Sequence, residues 1–409
     1  MKIKKLTIDH FKSLVNFTIA FNDTTVLFGF NNVGKSNVLK ALQLIFSRKR
    51  KYNEDGSYSA AENFYEGTVQ DFERNFYNLA YKEIEFEVTV EANSNELTFD
   101  PIISKLKKDG EHTIVINGRF KKHRNNDKVG EIFIENVSLD ENEIFSNTGE
   151  IGYFLSLDKN KEKQGQFATA FSTLINCLND CICIINSERR IETSSFANQI
   201  IEVSNLNLTP NNFKQYVYAL SLNVNMYKDF DKINKIFNAD PFKFGEITFA
   251  RDNHQNLEIM IKNGDLRLPI SDLGSGVSQL LFILTTIITN KSKIVCIEEL
   301  EQNLSPKLQG LSLRKIQGIM KDGVFNQLIV SSHSSAFANP KYGMIHYLEK
   351  DAHTKIVSTD NEKSKKISKE LTYYLAPAYI PQGEYTADEL KERDKEIEKI
   401  LRELHDFKM

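Results

Sequence analysis

Hydrophobic and polar residues alternate along much of the first part of the chain, and this alternation predicts β-strands. Residues 1–21 (MKIKKLTIDHFKSLVNFTIAF) contain two short alternating runs joined at KSL, which predicts a hairpin or a meander. The later runs YKEIEFEVTVEA, HTIVINGRF and GEIFIENVSL alternate in the same way. We therefore expect a substantial β-rich layer in the N-terminal part of the chain.

A second pattern consists of continuously apolar runs that occur together with stretches of helical spacing. The run TTVLFGF leads into NVLKALQLIF, where apolar residues recur at the period of a helix. Farther along, SGVSQLLFILTTIITN reads as an apolar helix, and KIVCIEEL and NQLIVSSH read as buried strands. Strands that alternate with helices predict a parallel α/β core. Three shorter runs, FGEITFARD, LEIMIKNG and DLRLPI, predict further strands.

The middle of the chain has a mainly helical pattern, in residues 160–180 and 194–240, with the strand-like run CICIINSERR between them. No sustained heptad repeat is present, so we expect no long coiled-coil arm. The charged stretch after residue 362 predicts an amphipathic helix, whose apolar side carries Leu390, Ile397, Ile400 and Leu401.

These patterns divide the chain into four parts. We expect the two halves of one α/β unit at 1–160 and 246–350, a helical insertion at 161–245 and a helical extension at 351–409.

Composition narrows the class of protein. The chain has 409 residues and a formal net charge of −3, which gives no general attraction to nucleic acid. Its N-terminus is too polar for a signal peptide, and no apolar run approaches the ~18 residues of a membrane span. The four cysteines do not suggest a disulfide framework, so we expect a cytoplasmic protein that does not enter a membrane.

Three of the cysteines, Cys177, Cys181 and Cys183, are close enough in sequence to suggest a metal site. The alternative is a buried strand with its lead-in. We favour the strand, because the neighbouring sequence has no histidine or fourth cysteine to complete a tetrahedral set.

Residues 28–37, FGFNNVGKSN, have the spacing of a phosphate-binding loop between a strand and a helix. The glycines let backbone amides turn toward phosphate groups, and the helix adds the positive end of its dipole. We expect Lys35 to reach the β- and γ-phosphates of ATP and the Ser36 hydroxyl to hold Mg²⁺. A chance match is the alternative. The predicted ATP-binding residues are Gly29, Asn31, Asn32, Gly34, Lys35, Ser36 and Asn37.

The run KIVCIEEL delivers two carboxylates at its end, Glu298 and Glu299. Phosphoryl transfer needs one carboxylate near Mg²⁺ and a second that orients and polarises the attacking water. We assign Glu298 to the metal and Glu299 to the water. The alternative is an acidic surface cluster that also includes Glu301.

Two more stretches carry candidate chemistry. His333 follows the run NQLIVSS, where it can contact the γ-phosphate or the attacking water, with a structural histidine as the alternative. In ISDLGSGVSQLL, residues 270–281, a serine and glycines open a helix and make a second anion site. One nucleotide does not need two such sites in one chain. We therefore expect this second site to meet the γ-phosphate held by another subunit.

In this order, the four stretches resemble the ABC-type ATPase head shared by RecF, the SMC proteins and the overcoming-lysogenization-defect (OLD) ATPases, with the OLD-like branch most similar. The loop resembles G-x-N-x-x-G-K-S-N. The signature resembles D-x-G-S-G-x-x-Q through Asp272, Gly274, Ser275, Gly276 and Gln279. The acidic strand resembles E-E-P-E-x-H-L-H-P through Glu298, Glu299, Glu301, Leu304 and Pro306. The positions that depart from this pattern are Leu300, Asn303 and Ser305.

The resemblance implies an α/β fold, a P-loop NTPase with an ABC-ATPase head, built from the β-rich layer and the parallel core with a helical insertion. It implies that two heads sandwich two ATP molecules with Mg²⁺ and turn them over slowly. Ser275, Gly276 and Gln279 of one subunit would then complete the site of the other. His333 matches the switch histidine, and Arg189 and Arg190 match a strand end with an arginine. No match to a Q-loop is found.

Stand-alone OLD-like ATPases resemble the ATPase half of two-gene antiviral systems such as PARIS, Septu and Menshen. This implies a separate effector, a Toprim or HNH nuclease or a toxin. No Asp-x-Asp follows His333, so we expect no Toprim domain in this chain. The alternative is a RecF-like DNA-repair ATPase that binds duplex DNA, with RFKKHRNNDK (119–128) as the candidate basic surface. A third possibility is a head that binds ATP and barely hydrolyses it.

Overall fold

The computed structural model describes residues 1–46, 74–77, 83–97, 110–122, 130–146, 181–189, 191, 208–251, 256–290, 292–334, 336–338 and 340–358. Several predicted features lie outside these residues. They are the helical stretches 160–180 and 194–207, the basic stretch from 123 onward, the C-terminal amphipathic helix, Cys177 and Arg190.

Within the described residues the chain forms fifteen strands and five α-helices. The strands are β1 (Lys2–Asp9), β2 (Phe17–Ala20), β3 (Thr24–Phe28), β4 (Glu83–Asn93), β5 (Glu111–Lys122), β6 (Gly130–Leu139), β7 (Asn142–Ser146), β8 (Ile182–Ile185), β9 (Glu246–Arg251), β10 (Leu257–Asn263), β11 (Leu266–Pro269), β12 (Ile294–Glu298), β13 (Gln327–Ser332), β14 (Met344–Lys350) and β15 (Thr354–Ser358). The helices are α1 (Lys35–Phe46), α2 (Phe213–Leu222), α3 (Tyr227–Asn238), α4 (Ser275–Thr289) and α5 (Pro306–Lys321).

An antiparallel sheet of six strands in the order β2-β1-β4-β5-β6-β7 forms the predicted β-rich layer. The N-terminal pair is an antiparallel hairpin in which Leu6 faces Ile19, which confirms the hairpin prediction. Along β4, buried residues alternate with exposed or half-buried ones, as the alternating sequence requires. One face of this sheet therefore supplies apolar side chains to the core.

A second six-stranded sheet, in the order β15-β14-β3-β13-β12-β8, forms the centre of the fold. Five of its strands are parallel, and only β15 is antiparallel to its neighbour. Every residue of β3, β12 and β13 is buried, because both faces of the sheet are covered. The predicted parallel α/β core is therefore confirmed.

The two faces of the parallel sheet supply two hydrophobic clusters. Val26, Val295 and Val330 belong to the cluster that includes α2 to α5 and the small sheet β11-β10-β9. Leu27 and Ile329 belong to the other cluster, together with α1 and the antiparallel sheet. Alternate residues of one strand thus serve opposite layers, which explains why these strands are apolar without interruption.

The small sheet leads directly to the predicted signature helix. Its three strands pair antiparallel, and a short 3-10 turn, Ile270–Leu273, connects β11 to α4. These strands, and helices α2 and α3 within residues 194–240, confirm the sequence predictions there. Among the helices in the described ranges, none combines the length and apolarity that a membrane crossing requires.

Four elements were not predicted from the pattern: β7, β14, β15 and α5. Strand β15 lies in the span 351–409 that the sequence assigned to a helical extension. Strand β8 lies in the span 161–245 assigned to a helical insertion, yet it pairs with β12 in the central sheet. The division of the chain into four parts stays a prediction.

Candidate nucleotide site

Three of the predicted motifs meet at the carboxyl edge of the parallel sheet. Phe28, the last residue of β3, pairs with Ser332 of β13, and Ser331 pairs with Glu298 of β12. The segments that follow these three strands therefore emerge side by side. They are the glycine loop, the acidic segment and His333. Ligand sites of open α/β sheets occur at this edge.

The glycine loop is shaped by close contacts that only glycine tolerates. Gly29 has φ of +155°, and a Cβ atom there would lie 2.5 Å from the Leu348 carbonyl oxygen. Gly34 has φ of +101°, and a Cβ atom there would lie 2.1 Å from Thr354 Oγ1. The loop is therefore backed by β14 and the start of β15, and its backbone leads into α1 at Lys35.

Lys35 is buried at the base of this loop, with only 5% of its surface exposed. Its Nζ donates hydrogen bonds to the carbonyl oxygens of Gly29 at 2.7 Å and Phe30 at 2.6 Å. Burial lowers the pKa of Lys35, while the negative charges of Glu301, Glu299 and Glu298 act in the opposite direction. The ammonium group thus lies in the field of all three carboxylates.

The remaining residues of the predicted ATP-binding set differ in exposure. Asn31 and Asn32 are exposed, and Ser36 is half-buried in the first turn of α1. Asn37 Nδ2 donates to Ser13 Oγ at 2.8 Å. Ser13 Oγ in turn lies 2.7 Å from Thr354 Oγ1, which donates to the Val33 carbonyl oxygen at 2.9 Å. Asn37 is therefore part of a brace behind the loop, and sequence reasoning missed Ser13 and Thr354.

The acidic segment turns sharply after β12. Glu298 is buried, and its Oε2 accepts weak hydrogen bonds from the Ser187 backbone N–H at 3.3 Å and the Ser187 hydroxyl at 3.4 Å. Glu299 has φ of +48°, a left-handed conformation that is strained for a side chain of this size. Its N–H donates to the Ser331 carbonyl oxygen at 3.0 Å. This geometry gives the two adjacent carboxylates different surroundings.

The side chain of Arg189 supports this strained turn through hydrogen bonds to its main chain. It is 1% exposed, and its NH1 donates to the carbonyl oxygens of Asn186 at 2.9 Å and Glu298 at 2.6 Å. NH2 donates to the Glu299 carbonyl oxygen at 2.8 Å. Burial lowers the pKa of Arg189 to about 10, against the charges of Glu301, Glu298 and Glu299. The strand-end arginine is therefore a main-chain clamp in this structure.

Glu301 and His333 form a contact that the sequence did not reveal. Glu301 is 4% exposed, so it does not belong to an acidic surface cluster. Its Oε1 accepts the His333 backbone N–H at 2.7 Å and lies 3.1 Å from His333 Nδ1. The His333 side chain keeps 45% of its surface exposed. The backbone of His333 is thus anchored to Glu301, and its partly exposed ring has Nδ1 beside the same carboxylate.

The predicted signature lies at the start of α4. Asp272, Gly274 and Ser275 are exposed. Gly276 is buried, and a Cβ atom there would lie 2.1 Å from the Asn303 carbonyl oxygen in the loop after β12. Gln279 is 8% exposed, so in the single chain it packs inside its own fold. The surface available to another molecule is the segment that ends at Ser275.

The residues at this edge fit a nucleoside triphosphate with Mg²⁺. The Ser36 hydroxyl and the Glu298 carboxylate are the hard oxygen ligands that Mg²⁺ prefers. The glycine positions have no room for a Cβ atom, and the loop opens a helix of 12 residues, whose N-terminus favours anions. Lys35 adds a buried cation at the same place.

Comparison with known proteins gives one family match. A family model described as the AAA ATPase domain matches residues 1–338. No curated protein matches the sequence.

The solved structures that match this chain include SMC head domains. A SmcHead bound to the C-winged helix domain of ScpA has 16% identity and a TM-score of 0.48, covering 90% of this chain and 100% of that chain. The SMC head domain from Thermotoga maritima has 14% identity and a TM-score of 0.42, covering 88% and 100%. An Smc head with an extended coiled coil, bound to the C-terminal domain of ScpA derived from Pyrococcus furiosus, has 15% identity and a TM-score of 0.45, covering 90% and 99%.

Proposed function

This chain belongs to the AAA ATPase domain family, and from that premise we propose that it binds ATP with Mg²⁺ and hydrolyses it at the carboxyl edge of the parallel sheet. One observation carries the proposal. Lys35, the pair Glu298–Glu299 and His333 lie at or just after the carboxyl ends of three neighbouring parallel strands, whose register places these ends side by side. Phosphoryl transfer depends on positioned charges, and a cation, two carboxylates and a histidine at one edge supply them.

Each group has a separate role in this proposal. Lys35 leaves the carbonyl oxygens of Gly29 and Phe30 and binds the β- and γ-phosphates. Ser36 and Glu298 hold Mg²⁺, which neutralises charge on the phosphate oxygens when bound. Glu299 orients the attacking water and accepts its proton. The backbone amides at the start of α1 bind the phosphates from the other side.

The activity test compares Glu299→Gln, Lys35→Ala and the wild type. We expect Glu299→Gln to bind ATP normally and to lose about 100-fold in turnover, because it loses only the base. Lys35→Ala should lose both binding and turnover. Glu258, which pairs with Lys214 away from the edge, provides a matched control in Glu258→Gln. Unchanged phosphate release by Glu299→Gln would show that the catalytic carboxylate is misassigned.

We further propose that two copies pair head to head. The exposed Ser275 would then meet the γ-phosphate bound at Lys35 of the other copy. The exposure of Asp272, Gly274 and Ser275 supports this, because a helix N-terminus that the described residues leave exposed is open to an anion from outside. Closing and opening the pair would make the ATP state readable by an attached protein, with slow turnover.

The wider role that we propose is that of an ATPase subunit in an antiviral defence system, acting on a separate effector such as a nuclease or toxin. The motif resemblance to stand-alone OLD-like ATPases supports this role. A phage-challenge assay tests it: cells carrying the gene with its neighbouring genes should lose protection when Lys35 is changed to alanine. Protection that survives Lys35→Ala would exclude an ATP-dependent role in defence.

DNA repair makes a different prediction. Duplex DNA binding with a steep dependence on salt would favour the RecF-like alternative over defence. In the described part of the candidate basic stretch, Arg119 NH1 donates to Glu83 at 3.1 Å, so this cation is already paired.

A further inference from the structure

Glu301 is a buried carboxylate for which the proposed chemistry gives no role. It lies two positions after Glu299, and only 4% of its surface is exposed. Removing a carboxylate from water is unfavourable unless hydrogen bonds or opposite charges compensate. Its Oε1 accepts the His333 backbone N–H at 2.7 Å and lies 3.1 Å from Nδ1 of the same residue. Within the described residues, the one hydrogen bond that this carboxylate accepts therefore comes from the histidine.

The short distance between Nδ1 and the carboxylate indicates which ring nitrogen of His333 carries a proton. A carboxylate oxygen 3.1 Å from Nδ1 attracts a proton on that nitrogen and repels a lone pair, so the Nδ1–H form is favoured. A histidine with Nδ1–H beside a carboxylate leaves Nε2 as the ring atom available to a ligand. The His333 side chain is also accessible, with 45% of its surface exposed.

The segment around His333 is tied to the loop after β12 at a second point. Ser334 Oγ donates to Gln309 Oε1 at 2.5 Å, and Gln309 Nε2 donates to the Leu304 carbonyl oxygen at 3.0 Å. Glu301 and Gln309 thus hold consecutive residues of the same segment. This pair of anchors restricts how far the imidazole can move relative to Glu299.

Glu301 also acts on this edge through its charge. Its Oε2 is buried and has no hydrogen-bond partner among the described residues, so the carboxylate is retained at a cost to the stability of the fold. Among the carboxylates that oppose the lowered pKa of Lys35 and of Arg189, Glu301 acts most strongly. The charge of Glu301 therefore favours the charged forms of both Lys35 and Arg189.

We propose that Glu301 is a positioning residue for ATP hydrolysis: it holds His333 in the Nδ1–H form and presents Nε2 to the γ-phosphate or the attacking water. This inference rests on the proposed ATPase function and deepens it, because it names the residue through which His333 is made competent. Glu301 itself touches neither nucleotide nor water in this role.

A double-mutant cycle tests the proposal in the full chain. We expect Glu301→Gln and His333→Ala each to lower kcat by at least about 10-fold while KM stays within about 3-fold, as for outer partners of reactive groups. The double variant should be no slower than His333→Ala alone, because both changes remove the same contribution. Glu258→Gln is the carboxylate control. The proposal would be overturned if the two losses of kcat multiplied in the double variant, or if the single variants changed KM alone.

The kcat values also distinguish a failure of this inference from a failure of the proposed ATPase function. If His333→Ala keeps wild-type kcat, the role of His333 fails. If Glu299→Gln also keeps it, the site assignment fails. A second measurement does not depend on a folded variant at position 301. In wild-type protein labelled with ¹⁵N-histidine, the signals of the ring nitrogens report the tautomer of His333. His333, identified by the signal missing in His333→Ala, should show Nδ1–H. An Nε2–H tautomer would overturn the proposal.

Discussion

One buried guanidinium maintains the backbone on which the proposed chemistry depends. Arg189 reaches from the end of β8 to the carbonyl oxygens of Glu298 and Glu299. The Glu299 oxygen also accepts the Gln302 backbone N–H at 3.0 Å, so Arg189 adds a second donor there and supplies a donor to the Glu298 oxygen. A planar group with several fixed donors suits this task, and a lysine does not. Arg189 thus supports the site without being exposed to it.

Replacing this clamp should be costly. We expect Arg189→Lys to lower the free energy of unfolding by about 3 kcal/mol, because the carbonyl oxygens of Asn186 and Glu298 lose their Arg189 donor. The matched control is Arg267→Lys, since Arg267 also donates to a main-chain oxygen, that of Phe249, at an exposed position. Its loss should stay under about 1 kcal/mol. Denaturant unfolding measures both, and equal losses would contradict the assigned role of Arg189.

A buried histidine, His346, should make the stability of the fold depend on pH. His346 on β14 is 2% exposed, and its Nε2 donates to the Ala20 carbonyl oxygen at 2.6 Å, while Nδ1 is buried without a partner in the described part of the chain. Burial lowers the pKa of His346, although the bond to Ala20 acts in the opposite direction. Between the lowered pKa and the unfolded value of about 6.5, the unfolded chain binds more protons.

The sign of this effect is therefore fixed: stability should fall as pH drops below about 6.5, by at most about 1.4 kcal/mol per pH unit for one proton. His346→Gln removes this proton. We expect the difference in Tm between pH 7 and pH 5.5 to be smaller in the variant than in the wild type. An identical difference in both proteins would show that His346 takes up no proton on unfolding.

At the scale of elements, the loop between β12 and α5 contacts three separate parts of the site. It carries Glu299, it holds His333 through Glu301, and its Asn303 carbonyl oxygen lies against Gly276 of α4. A displacement of α4 would therefore shift the loop directly. Rigid packing of this kind passes a shift from one element to the next.

Two glycine substitutions test this contact. In Gly276→Ala the new methyl group would lie 2.1 Å from the Asn303 oxygen, so we expect lower stability by about 1–3 kcal/mol and slower ATP turnover. Gly318→Ala in α5 is the control, because among the described residues no atom outside the helix's own backbone lies within 4 Å of its Cβ position. It should gain about 0.5–1 kcal/mol and keep its turnover. Normal turnover in Gly276→Ala would show that the contact is not needed for catalysis.

Local patterns predicted most of the elements around the site. Alternation gave the antiparallel layer, and uninterrupted apolar runs gave β3, β12 and β13. The same rules missed β14 and β15, because MIHYLEK and TKIVS are short and carry charges inside the strand. Strand β14 forms by pairing with β3, which belongs to a distant part of the sequence, and β15 forms by pairing with β14. Single-sequence periodicity does not register such pairing.

At the scale of the whole molecule, the exposed segment from Asp272 to Ser275 and the buried Lys35 are two halves of a proposed shared site. Two variants, each with one half damaged, test the sharing. Lys35→Ala and Ser275→Arg should each be inactive alone. When they are mixed, half of the dimers are mixed pairs with one intact site, so roughly a quarter of wild-type turnover should return.

The control for mixing is Lys35→Ala with Glu299→Gln. Both changes damage the same half, so no intact site can form in any pair. Turnover measured against the ratio of the two proteins gives the result. No recovery with Ser275→Arg would mean that each chain works alone, and full activity of Ser275→Arg by itself would mean that the signature segment has no part in hydrolysis.

The sequence by itself determined the class of fold and the candidate positions for the chemistry. Strand and helix periods, the spacing of Gly29, Gly34 and Lys35, and the paired Glu298 and Glu299 are all properties of neighbouring residues. Backbone geometry within a few residues decides such features. For this reason they could be predicted without knowing how the chain folds back on itself.

Only the tertiary structure decided how these positions are held. Arg189 meets Glu298 from 109 positions away, and Thr354 meets Val33 from 321 positions away. The burial of Glu301 turned a candidate surface charge into an anchor for His333. Burial and long-range hydrogen bonds depend on which strands lie side by side, and no local period in the sequence encodes that order.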